Sequence, residues 1–374
     1  MIAQVTDWAD SIGAVRTRSP FSSRSRRKVL TRRCYPATTV RRLGGAGPSA
    51  PIILPMLELL LTTVALGVAR VDDAHPTWSP DGRYVAFDRT RRLGGGATNA
   101  SIAVVRADGR ALREITSISA PFDAVRPAWS RDGRWIAFEV GSNMLPTTVQ
   151  WERRDGRSAN ALFAGGGLFS TASPPSWSPD GRRLAVAGTL GGSSGVYVIG
   201  RDNGRLRRLA VGEVRNAAWS PDGRHIAYAD AGSVALVAPG GGRVTRLAAP
   251  PARLAWSPDG RRIAYAAGCT VGTVSSRAIG VPPALMPCAP EVETSTPSWS
   301  PDGRRIAYSV CRRPVCSAFV VPANGSQGVQ ITGARDPSWS PTGRLIAFAR
   351  VVGSSATRIY VVRPDGTHLR PLLR

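Results

Sequence analysis

The sequence predicts an all-β chain, a β-propeller of four-stranded blades, and three observations carry the prediction. A phrase of the form Trp-Ser-Pro-Asp-Gly-Arg recurs seven times, each copy followed by a short apolar stretch. Its tryptophans (Trp78, Trp129, Trp177, Trp219, Trp256, Trp299 and Trp339) stand about 43.5 residues apart on average, with single gaps from 37 to 51. A period of about 40–45 residues with several short strands per unit is the mark of a propeller. The 374 residues also include 40 Gly and 30 Pro, turn formers that suit many short strands better than long helices.

Residues 1–49 form an Arg/Ser-rich leader. Ten basic residues face two acidic ones, Asp7 and Asp10, with no sustained apolar period. Such a stretch is expected to be disordered. Residues 50–70 follow as an apolar segment, APIILPMLELLLTTVALGVA before Arg70, with Glu58 as its internal charge. Arg41 and Arg42 lie before it and the small residues Gly67-Val-Ala69 close it. That order of basic, apolar and small residues reads as a secretory signal sequence, with an uncleaved membrane anchor as the alternative. Residues 71–374 are assigned to the propeller.

Within each unit the Trp-containing stretch is the first strand and Asp-Gly the hairpin turn, because Gly tolerates positive φ. The second strand reads Tyr84-Val-Ala-Phe87 or Arg262-Ile-Ala-Tyr265. Its continuous apolar run means burial on both faces, as where blades stack. A central Ala recurs at 86, 137, 185, 227, 264, 307 and 347 and lets neighbouring sheets approach. Third strands are read at Ile102-Ala-Val-Val105, Val196-Tyr-Val-Ile199 and Ile359-Tyr-Val-Val362. Fourth strands such as Leu112-Arg-Glu-Ile115 follow a second Gly-containing turn. The fifth unit, Pro-rich over 282–296, is the least regular. Seven motifs give seven blades. First and last units each look complete, so no strand is shared between the chain ends, and a six-bladed ring with one divergent unit is the alternative.

This W-S-P-D-G-R-x-I-A-[FY] phrase resembles the repeat of the TolB-like β-propellers, the PD40 relatives of WD40 repeats. The resemblance covers residues 76–374. It implies an envelope or periplasmic propeller that binds other proteins. Similar repeats form the propeller of prolyl-oligopeptidase-like peptidases, but this chain has no room for their hydrolase domain. The α/β domain that precedes the TolB propeller has no counterpart pattern in the basic leader.

The formal net charge is +24, and Lys28 is the single lysine among 49 basic residues. Each unit puts Arg directly after its first turn: Arg83, Arg134, Arg182, Arg224, Arg261, Arg304 and Arg344. Six turn aspartates stand beside them, at 81, 132, 180, 222, 259 and 302, with Thr342 in the seventh turn. In an antiparallel blade these turns and the third-to-fourth turns share one face. The simplest expectation is local Asp–Arg pairing, worth about 0–1 kcal/mol per exposed pair. An anionic partner is the functional alternative. Nucleic acid is disfavoured, since aromatics do not interleave with the arginines. The opposite face carries second-to-third-strand loops of varying length, read at Thr90–Ala100, Gly141–Pro146, Gly188–Ser194, Gly268–Ser276 and Gly353–Ala356, and this face with the channel mouth is the expected binding surface.

Chemistry is sparse. Gly191-Gly-Ser-Ser-Gly195 matches a nucleophile-elbow pattern, but it lies between two strands rather than between strand and helix. His75, His225 and His368 fall at unlike places in their units, which suits surface or packing roles. The Asp-Gly turns lack calcium-loop spacing. No catalytic residue, cofactor site or metal site is assigned. Cys311 and Cys316 bracket a hairpin and are a candidate disulfide, which would fit an exported protein. Cys269 and Cys288 offer a second bridge, Cys34 lies in the leader, and free buried thiols are the alternative.

The sequence thus reads as a non-catalytic, protein-binding scaffold of the cell envelope, a monomeric propeller with an envelope or cell-wall-associated partner. Membrane contact would run through residues 50–70. A hydrolase or lyase with its site at the channel mouth is the rival; it requires converging acids or histidines. Binding of an anionic polymer by the arginine face is the other.

Overall fold

A computed structural model describes residues 70–373, apart from 93–97, 117–121, 143–146, 158, 162–168, 172, 251, 278–283, 287–291, 313–314 and 354–355. The leader and the apolar segment, with Cys34, lie outside the described residues, as does Cys288.

The chain from residue 70 forms seven small antiparallel sheets in a ring, a seven-bladed propeller. The innermost strands are Val71–Trp78, Asp123–Trp129, Ser176–Trp177, Asn216–Trp219, Arg253–Trp256, Ser298–Trp299 and Ala334–Trp339. Each blade then runs outward in chain order. The fifth is a full blade too, with a third strand, Thr270–Ser275, where the sequence suggested a loop, and a fourth at Ala284–Met286. This excludes the six-bladed alternative. In the third blade the expected loop over 188–194 is mostly strand: Arg183–Leu190 and Ser193–Gly200 are joined by the two-residue turn Gly191-Gly192, both at positive φ.

Every letter of the repeated phrase has a job. The serine is buried, at 0–2% exposure in all seven copies. In the fifth blade the Ser257 hydroxyl donates to Asp259 at 2.6 Å and accepts from the Arg262 N–H at 2.9 Å. Asp259 also accepts from the Arg261 N–H at 3.0 Å. The glycine sits at φ 66–71° in every copy, left-handed territory that a β-carbon disfavours. The proline packs beneath the turn glycine of the next blade: a β-carbon built on Gly133 would lie 3.7 Å from Pro80, and one on Gly82 would lie 3.4 Å from Pro341 across the closing seam. In four blades the tryptophan indole donates to a carbonyl of the preceding blade, as Trp129 does to Thr77 at 3.1 Å and Trp256 to Ala218 at 3.0 Å. The small alanines of the second strands are all at 0% exposure, which lets the sheets stack into seven apolar clusters, one at each seam.

The turn aspartates do not chiefly pair with the arginines, as the sequence suggested. Their partners are the serine hydroxyl and the arginine backbone N–H, which hold carboxyls such as Asp259 and Asp302 below their usual range. Among the described residues none of the seven turn guanidiniums makes an ion pair. Other arginines close seams by stacking: Arg183 over Trp219 at 4.9 Å, Arg262 over Trp299 at 4.9 Å and Arg305 over Trp339 at 5.2 Å, each reaching the following blade.

The ring closes without a shared strand. Trp78, Phe87 and Val105 of the first blade pack with Ala349, Ile359 and Leu372 of the last. Asp72 accepts from the Thr357 N–H at 2.8 Å, and Arg358 donates to the Val71 carbonyl. Cys311 and Cys316 stand opposite each other in register and are joined by a disulfide; Cys269 is disulfide-bonded as well.

If the buried serine anchors each turn, Ser257→Ala strands the Arg262 N–H and should cost about 1–3 kcal/mol. Urea unfolding checks this: the midpoint should fall while the slope stays constant.

Candidate functional site: the channel mouth

The innermost strands surround an axial channel. One end opens on the turn face as a cavity of about 530 Å³ beside the tryptophans. The other opens on the loop face as a cavity of about 580 Å³ at the start of the same strands. Thr77, Pro127, Pro174, Asn216 and Thr296 line both, so the two are sections of one channel.

The loop-face mouth takes its chemistry from one repeat position, three residues before each motif tryptophan. Reading round the ring, that position holds His75, Arg126, Pro174, Asn216, Arg253, Thr296 and Asp336, and all seven line the mouth. The following residue is proline in all blades except the fourth and fifth, which carry Ala217 and Leu254. Proline donates no ladder hydrogen bond, so these strands must deform. In the third and sixth blades the inner strand breaks in two. In the seventh, first and second it bulges: His75-Pro76 oppose Phe87 alone, Arg126-Pro127 oppose Phe138, and Asp336-Pro337 oppose Phe348. His75, Arg126 and Asp336 accordingly sit at φ 47°, 55° and 52°. A left-handed, non-glycine residue costs on the order of 1–3 kcal/mol, and such residues cluster where a side chain must be aimed. Three in adjacent blades aim into one mouth.

Two carboxylates support the bulges from the second strands. Asp88, 4% exposed, accepts from His75 Nδ1 at 2.9 Å and from the Arg126 N–H of the next blade at 3.3 Å. Glu139, also 4% exposed, accepts from the Arg126 guanidinium at 3.0 Å, while its Oε1 has no partner. His75 Nε2 lies 4.0 Å from Asp336. Burial opposes the charge on His75, but Asp88 and then Asp336 outweigh it and raise its pKa. Burial raises Glu139 above the usual carboxylate range despite Arg126. Arg215 and Arg253 are exposed on the rim opposite Asp336, with no ion-pair partner among the described residues.

Sequence reasoning placed the binding surface on this face and at this mouth. It missed the cluster, because it treated His75 as isolated and saw no converging acids. The available signal was a polar residue before proline, three positions ahead of Trp78, Trp129 and Trp339. The Gly191–Gly195 pattern forms a plain hairpin away from the mouth. Among the described residues no group of three or more His, Cys, Asp or Glu is arranged to hold a metal.

The ring of W-S-P-D-G-R blades is a seven-bladed β-propeller. No protein-family profile matches the sequence, and no curated protein does. TolB from Acinetobacter baumannii is similar at 19% identity, covering 76% of this chain and 71% of that one, with a TM-score of 0.49. A puromycin-hydrolysing peptidase of Mycobacterium tuberculosis is similar at 17% identity and a TM-score of 0.59, covering 82% of this chain and 54% of that one, so this chain spans about half of it. An oligogalacturonate lyase in complex with manganese is similar at 11% identity and a TM-score of 0.58, covering 79% and 90%. The likenesses to the peptidase and to the lyase show the fold. A propeller shape does not by itself fix a function, so function has to be argued from the site.

A raised His75 pKa contributes stability that is fully present below about pH 6.5, the ordinary histidine value, and is lost as pH rises through the higher folded-state value. Asp88→Asn removes the main cause. The His75 ring, followed by NMR, should then titrate at lower pH than in the wild type, and the stability difference between acid and alkaline solution should shrink.

Proposed function

We propose that this chain is a non-catalytic TolB-like propeller of the cell envelope that captures a protein partner at the loop-face mouth of its channel. The observation that carries the reading is the set of three bulges, in adjacent blades, that aim His75, Arg126 and Asp336 into one cavity. Strained backbone kept in three places points to recognition rather than to packing. The rim is polar and dipolar, with Arg215 and Arg253 across from Asp336, which suits steering and orientation of a charged surface. Disulfides at Cys311–Cys316 and at Cys269 support residence in an oxidising compartment. The resemblance of the repeat to TolB supports the same place. An uncleaved or cleaved apolar segment at 50–70 would deliver the chain there.

One observation favours a second reading, a hydrolase or lyase at the same mouth. At the mouth His75 is held by a buried carboxylate on Nδ1 and has Nε2 4.0 Å from Asp336, which lines the same mouth; a histidine oriented by a carboxylate is the arrangement of a general base.

The test puts a photo-cross-linking residue at position 215 on the rim and, separately, at position 304 on the turn face, in cells that are then fractionated. An envelope-fraction adduct from 215 but not from 304, reduced at least about fivefold by Arg253→Glu, is the expected outcome. Soluble cytoplasmic protein without a rim adduct would sink the reading. A bond-cleaving activity abolished by His75→Gln, with the rim adduct intact, would assign chemistry to the mouth instead.

A further inference from the structure

The turn face carries a second, separate feature. The residue after the glycine of the third-to-fourth turn is Arg110, Arg157, Arg205 and Arg243 in the first four blades, but Ser326 and Thr367 in the sixth and seventh; the corresponding turn of the fifth lies outside the described residues. Together with Arg83, Arg134, Arg182 and Arg224 of the first turns, these form two concentric rows of guanidiniums over four consecutive blades. All eight are exposed, and none makes a side-chain hydrogen bond or ion pair among the described residues. The acids beside them are already engaged. Asp180 and Asp222 bind serine hydroxyls and backbone N–H groups, while Asp108, Asp155 and Asp202 pair with Arg106, Arg153 and Arg201.

In the third blade the two rows border a groove of about 730 Å³ lined by Arg182, Arg183, Arg205 and Arg207, with Asp202 as its acid. Arg183 is fixed there by its stack on Trp219, 4.9 Å away, and Arg207 donates to the Gly240 carbonyl. The groove thus has two preorganised cations, of which Arg183 also lies 3.8 Å from Asp180, and two exposed ones, Arg182 and Arg205, without a side-chain partner among the described residues. From this geometry we infer that the arginine arc, centred on this groove, binds a linear polyanion, a chain with phosphate or carboxylate groups repeated along it. The double row runs along an arc of four blades and is broken at Ser326 and Thr367 in the sixth and seventh, where Arg304, Arg344 and Arg363 remain. A flat anionic surface would press on the exposed Asp302 and Asp365 of those two blades, so an elongated chain is the better fit. The inference rests on a different face from the channel mouth and stands or falls separately from the function proposed there.

Full-length protein with fluorescent inorganic polyphosphate as the probe tests it by anisotropy across a salt series. The expected result is salt-dependent binding that Arg182→Gln/Arg205→Gln weakens at least about tenfold, with a shallower salt slope. Arg304→Gln/Arg344→Gln, which removes equal charge from the sixth and seventh blades, should change affinity less than about twofold. Both variants must melt like the wild type. No binding near physiological salt, or equal loss in the two variants, overturns the proposal. So does tighter binding to phosphatidylglycerol-containing vesicles with the same variant dependence, which would make the face a membrane surface.

Discussion

A buried hydroxyl at the end of each inner strand is the constraint on which this propeller rests. The motif serine closes the turn from inside, satisfying an aspartate and a backbone amide at once, and a buried amide left unpaired would be costly. Once that turn is fixed, the glycine must be left-handed, the proline before it faces the neighbouring blade, and the arginine after it is pushed into solvent. The seven-fold ring is therefore built from a local rule repeated, with the tryptophan indoles and stacked arginines joining one copy to the next.

The channel mouth is where that rule is bent. Proline two residues before the tryptophan cannot take part in the ladder, and the chain responds by breaking the strand in two blades and bulging it in three. The bulges are held in place by Asp88 under Arg126 and by Ser309 under Asp336, each reaching from the preceding blade. Buried polar groups that support a strained backbone indicate a site whose side-chain directions matter. The mouth is also electrically uneven, cationic over the second, fourth and fifth blades and anionic at Glu293 and Asp336 of the sixth and seventh.

Much of the fold was legible because the chain repeats its instructions. Asp-Gly announces the turn, and Val-Ala-Phe announces a strand buried on both faces, so the position of Ala86 and its six counterparts followed directly. The fifth blade was harder, since its third strand, Thr270–Ser275, contains Gly272 and polar residues in place of an apolar run. The site was not legible for a different reason. His75, Asp88, Glu139 and Asp336 come from three units, and only the bulges turn them towards one another. Periodicity locates backbone; it does not report which side chains a kink redirects. The aspartates misled in the same way: beside an arginine in sequence, they bind its amide and leave its guanidinium free.

The closing seam has a topological consequence. Six seams are crossed by the polypeptide, while the one between the last blade and the first is held by Asp72, Thr357, His75 and an apolar cluster. In covalent terms the channel is a slot rather than a hole. Nothing lying along its axis is ever linked to the chain as a bead is to its string, and parting one non-covalent joint frees it sideways, whatever the size of its ends.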